Sequence, residues 1–279
     1  MSRFITIDGI ETHFLEQGSG PSLVLLHGIG GPLMWQRIMD PLAESFRVIR
    51  LDLPGFGDSA CPEEQFSTND YAEFVTHFLR ALSPEENIAV AGISYGGQIG
   101  LNAVARIENG VSRLVLINST GLYRRNFFPV RNAVIWNLFA WFMRSFCLSN
   151  LRFICNLSKD SFYDLRNRPE NLCRDFHRQI LQPGKRDAWL QALKNIFTPD
   201  DTFRNNAKQI RIPVLIVAGE NDATISPHYS EQLHSEIQNS RLVVFPKTAH
   251  SLPLEKPAEL ALLMKEFILS PHSENDYGR

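Results

Sequence analysis

The fold is decided by a six-residue stretch, Gly92-Ile93-Ser94-Tyr95-Gly96-Gly97. It follows a short apolar run, residues 87–91, and precedes a run with helical character, residues 98–107. A G-x-S-x-G pattern between a strand and a helix holds its serine in a strained turn, with the hydroxyl pushed out of the sheet. Glycines two positions before and after the serine avoid side-chain clashes there. The context predicts a nucleophilic Ser94, although the bare pattern also arises by chance as a turn with a solvated serine.

Composition and charge are those of an ordinary globular enzyme or binding protein. The 279 residues are 44% hydrophobic and 21% charged, which suffices for one large domain or one domain with an insertion. A net charge of −2 gives no electrostatic case for binding nucleic acid. The N-terminus lacks the apolar core of a secretory signal, and the longest apolar stretch is too short to be a transmembrane segment. The four cysteines lack C-x-x-C spacing, so we expect no metal site and a cytoplasmic location.

Strand-like and helix-like runs alternate along most of the chain. Residues 22–26 form a continuous apolar run, typical of a strand buried on both faces of a parallel sheet. Two shorter alternating runs around Asp8-Gly9 predict an antiparallel edge. The other predicted elements are strands at 47–51, 113–118, 214–218 and 241–245 and helices at 67–82, 227–237 and 255–269. Such alternation predicts an α/β fold with a mostly parallel sheet covered by helices on both faces.

Polar residues follow the predicted strands at the edge where active sites of such sheets lie. They are His27, Asp52, Ser94, Asn118 and Asp222. A serine hydroxyl needs a base to take its proton, and the base needs an acid to orient it. The chain order expected for an elbow serine is nucleophile, acid, histidine. Asp222 and His250 complete that order.

Glu220 is a competitor for the role of the acid, but it is expected to bond to backbone at the strand end. No carboxylate follows the strand that ends at Asn118, which also favours Asp222. The tetrahedral oxyanion needs two backbone donors. We expect them to be the N–H groups of Tyr95 and Ile29, with Gly30 as the alternative to Ile29. His27 is expected to tie down the loop that carries Ile29.

Taken together, these motifs resemble the α/β-hydrolase fold superfamily, in its lid-bearing branch of serine esterases and related hydrolases. The matching segments are His27–Gly30 with Trp35, Asp52–Ser59, Gly92–Gly97, Gly219–Asp222 with Pro227, and His250 with Glu255-Lys256-Pro257. The resemblance implies an eight-stranded, mostly parallel sheet with a helical lid inserted after strand 6. The corresponding division is core at 1–121, lid at 122–203 and core at 204–279. It further implies cleavage of an ester-like bond through an acyl-enzyme, with no metal or organic cofactor.

Other functions of the same fold stay open. Relatives that use an aspartate at the elbow, the haloalkane dehalogenases and epoxide hydrolases, are disfavoured by Ser94. Carbon–carbon bond hydrolases often carry Asn before the serine and Trp after the histidine, where this chain has Ile93 and Ser251. Acyl transfer, a cofactor-free lyase, and a ligand-binding or accessory protein that uses the lid cavity are further alternatives.

The predicted lid is rich in aromatic residues, namely Phe127, Phe128, Trp136, Phe139, Trp141, Phe142 and Phe146. Packing of the lid on the core accounts for much of this pattern. Trp136, Phe139 and Phe142 are nevertheless candidates to line a substrate pocket, and membrane association is a lesser option. Residues 121–180 hold ten basic against four acidic side chains. That charge would suit an anionic substrate or an acyl group on an acidic carrier protein, or it reflects arginines paired with acids of the core.

Overall fold

A computed structural model describes residues 1–82, 87–122 and 128–270. Arg124, Arg125, Phe127 and residues 271–279 lie outside these residues. The described chain forms one eight-stranded sheet in the order β1-β2-β4-β3-β5-β6-β7-β8. The strands are β1 (Ser2–Ile7), β2 (Ile10–Gln17), β3 (Ser22–Leu26), β4 (Arg47–Leu51), β5 (Ile88–Ile93), β6 (Val111–Ile117), β7 (Val214–Gly219) and β8 (Ser240–Phe245).

The sheet is mostly parallel, as predicted. β2 pairs antiparallel with β1 and with β4, and all the other neighbours are parallel. Asp8 and Gly9 join β1 to β2 with φ of 50° and 78°, the positive values that a tight hairpin turn requires.

Helices cover both faces of the sheet, because successive residues of a buried strand point to opposite sides. Val24 and Leu26 of β3 pack in one apolar cluster, and Leu23 and Leu25 pack in another on the opposite face. The helices are α1 (Met39–Ala43), α2 (Thr68–Leu82), α3 (Tyr95–Val104), α4 (Ala133–Phe142), α5 (Leu151–Leu157), α6 (Leu172–Ile180), α7 (Lys185–Phe197), α8 (Asp201–Gln209), α9 (Pro227–Glu236), α10 (Leu252–Glu255) and α11 (Pro257–Leu269).

Two helices differ from their predicted bounds by more than one residue at an end. α3 begins at Tyr95 rather than at residue 98. Its first turn contains Gly96 and Gly97, which have low helix propensity. They fit here because Gly96 lies against Leu26 of β3 and Gly97 lies against Ser119. The predicted helix at 255–269 is two helices. Lys256 leaves the helical region, with φ −133° and ψ 51°, as the residue before a proline tends to do.

Between β6 and β7, the described chain is helical and contains no strand. A π turn, Met143–Cys147, continues α4, and short 3-10 turns separate several of the other helices. We refer to the described part of this region, residues 128–209, as the helical insertion. Its division from the core at 122 and 203 stays a prediction. No helix among the described residues has the length and apolar character needed to cross a bilayer.

Candidate active site

Ser94 lies at the sharp turn between β5 and α3. Its φ of 56° and ψ of −123° place it in a region that non-glycine residues rarely adopt. A Cβ on Gly92 would lie 2.4 Å from the carbonyl oxygen of Gly96, and one on Gly96 would lie 2.3 Å from that of Leu26. These contacts explain why the turn needs both glycines.

His250 and Asp222 meet at the same edge of the sheet. His250 Nδ1 lies 2.7 Å from Asp222 Oδ2. The other carboxylate oxygen of Asp222 accepts hydrogen bonds from the N–H groups of Thr224 and Ile225, at 2.8 and 2.9 Å. The carboxylate is therefore fixed on both sides, and it holds the imidazole so that Nε2 is free to act as a base. Glu220 is exposed and accepts instead from the backbone N–H of Lys247.

Ser94 and His250 line one cavity of about 390 Å³. Among the described residues, Ser94 Oγ makes no hydrogen bond to the imidazole of His250. A bond of this kind often tightens only when substrate is bound, so the two groups remain compatible with proton transfer.

The backbone N–H groups of Ile29 and Tyr95 have no hydrogen-bond acceptor within the described chain. Both residues are held by α7 of the helical insertion. Trp189 Nε1 donates to the carbonyl of Ile29 at 3.0 Å, and Asn195 Nδ2 donates to the hydroxyl of Tyr95 at 2.9 Å. No sequence motif predicts either contact, since each joins positions at least 100 residues apart.

A family model of the alpha/beta hydrolase fold matches residues 21–257. The chain belongs to this family. A curated relative, the 2-hydroxymuconate semialdehyde hydrolase of Pseudomonas sp. (strain CF600), is 29% identical over 280 residues, which cover 96% of this hydrolase and 94% of that protein. A pimeloyl-[acyl-carrier protein] methyl ester esterase of Nitrosospira multiformis is 28% identical over 246 residues, covering 84% and 89%.

A solved structure shares the fold of this hydrolase. The serine hydrolase CarC, involved in carbazole degradation, superposes with a TM-score of 0.82 at 22% identity, over 96% of this chain and 98% of that one.

The cavity walls of this hydrolase come from the core and from the helical insertion. The insertion contributes mainly apolar side chains, namely Ile154, Leu157, Phe162, Leu172, Cys173, Phe176, Trp189, Ile196 and Phe197. Trp136, Phe139 and Phe142, the candidates named from the sequence, are not among the described lining residues. Trp136 is buried beside Phe139, with ring centroids 5.6 Å apart, and Phe142 is half exposed. The structure therefore gives no support to a substrate contact by these three side chains.

His27 fixes the loop that carries Ile29. It is fully buried; its Nδ1 lies 2.7 Å from the carbonyl oxygen of Gly28, and its Nε2 accepts from the backbone N–H of Leu53 at 3.1 Å. These contacts require a neutral ring with the proton on Nδ1. Burial lowers the pKa of His27 from 6.5 to about 4, which keeps the ring neutral at physiological pH.

This His27 pKa predicts a loss of stability in acid. Between pH 6.5 and pH 4 the unfolded chain binds a proton that the folded chain does not, so the free energy of unfolding falls as pH falls. The contribution of His27 between about pH 7 and pH 5 is about 2 kcal/mol. Urea denaturation at both pH values should show a smaller loss of unfolding free energy in His27→Gln than in wild type. The glutamine amide supplies a donor and an acceptor but does not bind a proton in this pH range. Equal losses in the two proteins would contradict this role.

Asn118 ties three chain segments together below the site. Its side chain accepts from the N–H of Gly219 at 2.9 Å and donates to the carbonyl oxygens of His250 and Ala249, at 3.0 and 3.3 Å. Its φ is 44°, a conformation that asparagine tolerates better than most residues. Asn118 is thus a positioning residue for the loop of His250, a role that the sequence did not reveal.

Asn118→Ala should lower the free energy of unfolding by about 3 kcal/mol, because it leaves buried backbone groups unpaired and keeps a strained φ. Asn118→Gly removes the same hydrogen bonds without the strain, so it should recover about 1 kcal/mol. Urea denaturation measures both values, and kcat should fall more than KM changes because His250 loses its support. An Asn118→Ala protein as stable as wild type would refute the assignment.

A buried carboxylate links the loop of His250 to the helical insertion. Glu255 Oε1 accepts from the N–H of Ala249 at 2.8 Å, and Oε2 accepts from the N–H of Tyr163 at the same distance. The insertion is therefore linked through Glu255 to the histidine loop, and through α7 to Ile29 and Tyr95, the residues whose N–H groups are the candidate oxyanion donors.

Elsewhere in the chain a serine, a histidine and an aspartate are joined by hydrogen bonds. His13 Nδ1 lies 2.8 Å from Asp52 Oδ2, and His13 Nε2 lies 2.8 Å from Ser2 Oγ. His13 is buried. Ser2 is exposed on β1 and does not line the cavity beside Ser94. Ser2 therefore serves as a control residue in experiments that test whether Ser94 is the nucleophile.

Proposed function

We propose that this protein is a serine hydrolase that cleaves an ester-like bond in a small hydrophobic or acyl substrate. The observation that carries the proposal is the 2.7 Å hydrogen bond between Asp222 and His250, together with the opening of His250 and the elbow Ser94 onto one cavity. An imidazole oriented by a carboxylate and facing a serine is the arrangement that activates a hydroxyl nucleophile.

In the proposed reaction, Ser94 Oγ attacks the substrate carbonyl carbon while His250 Nε2 takes the hydroxyl proton. Asp222 keeps its hydrogen bond to Nδ1 and stabilises the imidazolium. The oxyanion lies between the N–H groups of Ile29 and Tyr95, each worth about two to three powers of ten in rate. His250 then gives the proton to the leaving group. Water, deprotonated by the same base, releases the acyl group from Ser94.

The helical insertion is proposed to act as a lid over this site. Its helices α5, α6 and α7 supply much of the apolar cavity wall. Excluding water from the site strengthens the electrostatic interactions on which the oxyanion depends. Trp189, which lines the cavity and holds the carbonyl of Ile29, would couple closure of the lid to the geometry of the oxyanion site.

The charge of the cavity favours an uncharged acyl group. None of the described lining residues is a lysine or arginine, and the acidic one is Asp160. A carboxylate taken into such a cavity would lose its hydration without gaining a cationic partner. The excess of basic side chains in the insertion therefore does not extend to the described cavity wall, and an anionic small substrate is disfavoured.

A second candidate reaction is hydrolysis of a carbon–carbon bond, because a 2-hydroxymuconate semialdehyde hydrolase is 29% identical to this chain over nearly its whole length. Delivery of an acyl group by an acidic carrier protein is a further candidate, since a pimeloyl-[acyl-carrier protein] methyl ester esterase is 28% identical. Steady-state rates on neutral esters, carboxylate-bearing esters, a 2-hydroxy-6-oxodienoate and an acyl-carrier methyl ester discriminate these substrates. We expect the neutral esters to be preferred.

Labelling with a fluorophosphonate, followed by mass spectrometry of the digested protein, tests the nucleophile. We expect one adduct, on Ser94, and unchanged labelling of the Ser2→Ala variant. An adduct on Ser2 instead would show that the reactive hydroxyl belongs to the Ser2, His13 and Asp52 set, and it would contradict the role of Ser94. A protein that binds small esters without any labelling would be a binding or accessory protein, and the proposal would fail.

A further inference from the structure

The outer face of the helical insertion exposes a row of large apolar side chains. We call it the aromatic face; it consists of Val134, Leu138, Trp141, Phe142 and Phe146. Its members are 51–76% exposed. Phe146 packs against both Trp141 and Phe142, with ring centroids 5.7 and 5.5 Å apart.

Core packing does not explain this row. The opposite side of the same helix already buries Trp136 and Met143 against the core. α4 and its π turn are therefore apolar on both sides, whereas a surface helix of a globular protein normally has one polar side. A contiguous exposed apolar patch of this kind marks a contact surface.

The stretch of sequence that carries the aromatic face has charges of one sign. Residues 121–159 contain six arginines and lysines and no aspartate or glutamate. Arg131, Arg144 and Arg152 are exposed, and of these Arg144 pairs with Asp187 of α7. In the described part of the chain, Arg131 and Arg152 have no ion-pair partner.

The exposed aromatic side chains and the arginines near them in sequence together favour one kind of binding partner. Two copies of the protein that met through this face would bring two cationic segments together, which is unfavourable. Tryptophan and phenylalanine favour the boundary between headgroups and acyl chains, and arginines beside them attract anionic headgroups. We propose that the aromatic face binds the surface of an anionic lipid bilayer, with its side chains at the acyl boundary and the protein outside the membrane. This inference goes beyond the proposed function and does not require the chemistry of Ser94.

Flotation of the full-length protein with vesicles tests the proposal. We expect binding to phosphatidylcholine vesicles that contain phosphatidylglycerol, weak binding to phosphatidylcholine alone, and a loss of binding as salt rises. Trp141→Ser/Phe146→Ser should lower the partition coefficient at least about tenfold, because it removes the two aromatic anchors. Arg131→Gln/Arg152→Gln should weaken binding only to the anionic vesicles.

The control is Phe4→Ser/Leu262→Ser, which removes two apolar side chains of similar exposure, 56% and 58%, on β1 and α11. It should bind like wild type. Urea denaturation checks that each variant is folded. Absence of vesicle binding, or equal binding by the Trp141 and control variants, overturns the proposal. The proposal also fails if vesicle binding is absent and the protein instead forms a dimer in sedimentation, or a complex with an acidic acyl-carrier protein. In either case the Trp141→Ser/Phe146→Ser variant would no longer form that assembly.

Discussion

Replacing Ser94 with alanine is expected to lower kcat on an activated neutral ester by about a millionfold, ~10⁶. The reason is its position. Among the described hydroxyl-bearing residues, Ser94 alone combines the strained turn, the free N–H groups of Ile29 and Tyr95, and the imidazole of His250 on the same cavity. A residual acceleration over water should remain, because the oxyanion donors still bind the transition state of direct hydrolysis. Initial rates at matched protein concentrations measure the loss.

Two serines serve as matched controls for that substitution. Ser161→Ala changes a second cavity-lining hydroxyl, and Ser2→Ala changes the serine of the other serine–histidine–aspartate set. Both should retain kcat within about threefold, as expected for a change away from the reacting atoms. If Ser94→Ala kept most of its activity, or if Ser2→Ala lost it, Ser94 would not be the nucleophile.

The parts of the site that local sequence predicted are those that obey local rules. The elbow glycines of Ser94 follow from backbone sterics within five residues, and the order of Ser94, Asp222 and His250 follows from where strands end. The sheet was predictable for the same reason, since each strand carries its own buried apolar run. The order of residues along the chain and the ends of its strands can both be recognised from the sequence alone.

The parts that were missed depend on contacts between distant segments. Asn118 reaches the carbonyl of His250 across 132 residues, and Trp189 reaches Ile29 across 160. Nothing in the local pattern of either residue distinguishes such a bond from solvent exposure. These roles depend on the tertiary structure, because a single sequence does not show which distant residues form a hydrogen bond.

The aromatic residues of α4 illustrate a different limit. Helical periodicity identifies side chains that share a face, but it does not say which face points inward. Because α4 is apolar on both sides, the pattern favoured packing on the core and was also compatible with a pocket wall. The structure buries Trp136, exposes Phe142, and forms the cavity from α5, α6 and α7 instead.

The exchange Asp222→Asn is expected to lower kcat about 10⁴-fold while leaving the free energy of unfolding nearly unchanged. The amide oxygen of asparagine can keep accepting from the N–H groups of Thr224 and Ile225, which now bond to Asp222 Oδ1. Its NH₂ group then faces His250 Nδ1, where the carboxylate oxygen was. That NH₂ donates, so Nδ1 must accept and the ring proton moves to Nε2. His250 then presents a proton to Ser94 instead of a lone pair, and it loses the anion that stabilised its charged form.

Glu220→Gln is the matched control, because Glu220 lies two residues away and is exposed. Among the described residues its side chain hydrogen-bonds only to the backbone N–H of Lys247. It should keep wild-type kcat. The double variant Ser94→Ala/Asp222→Asn should be no slower than Ser94→Ala, because the acid acts only through the histidine that serves Ser94. A large loss in Glu220→Gln with none in Asp222→Asn would reverse the assignment of the acid. A further loss in the double variant would mean that Asp222 acts on the reaction by a route independent of Ser94.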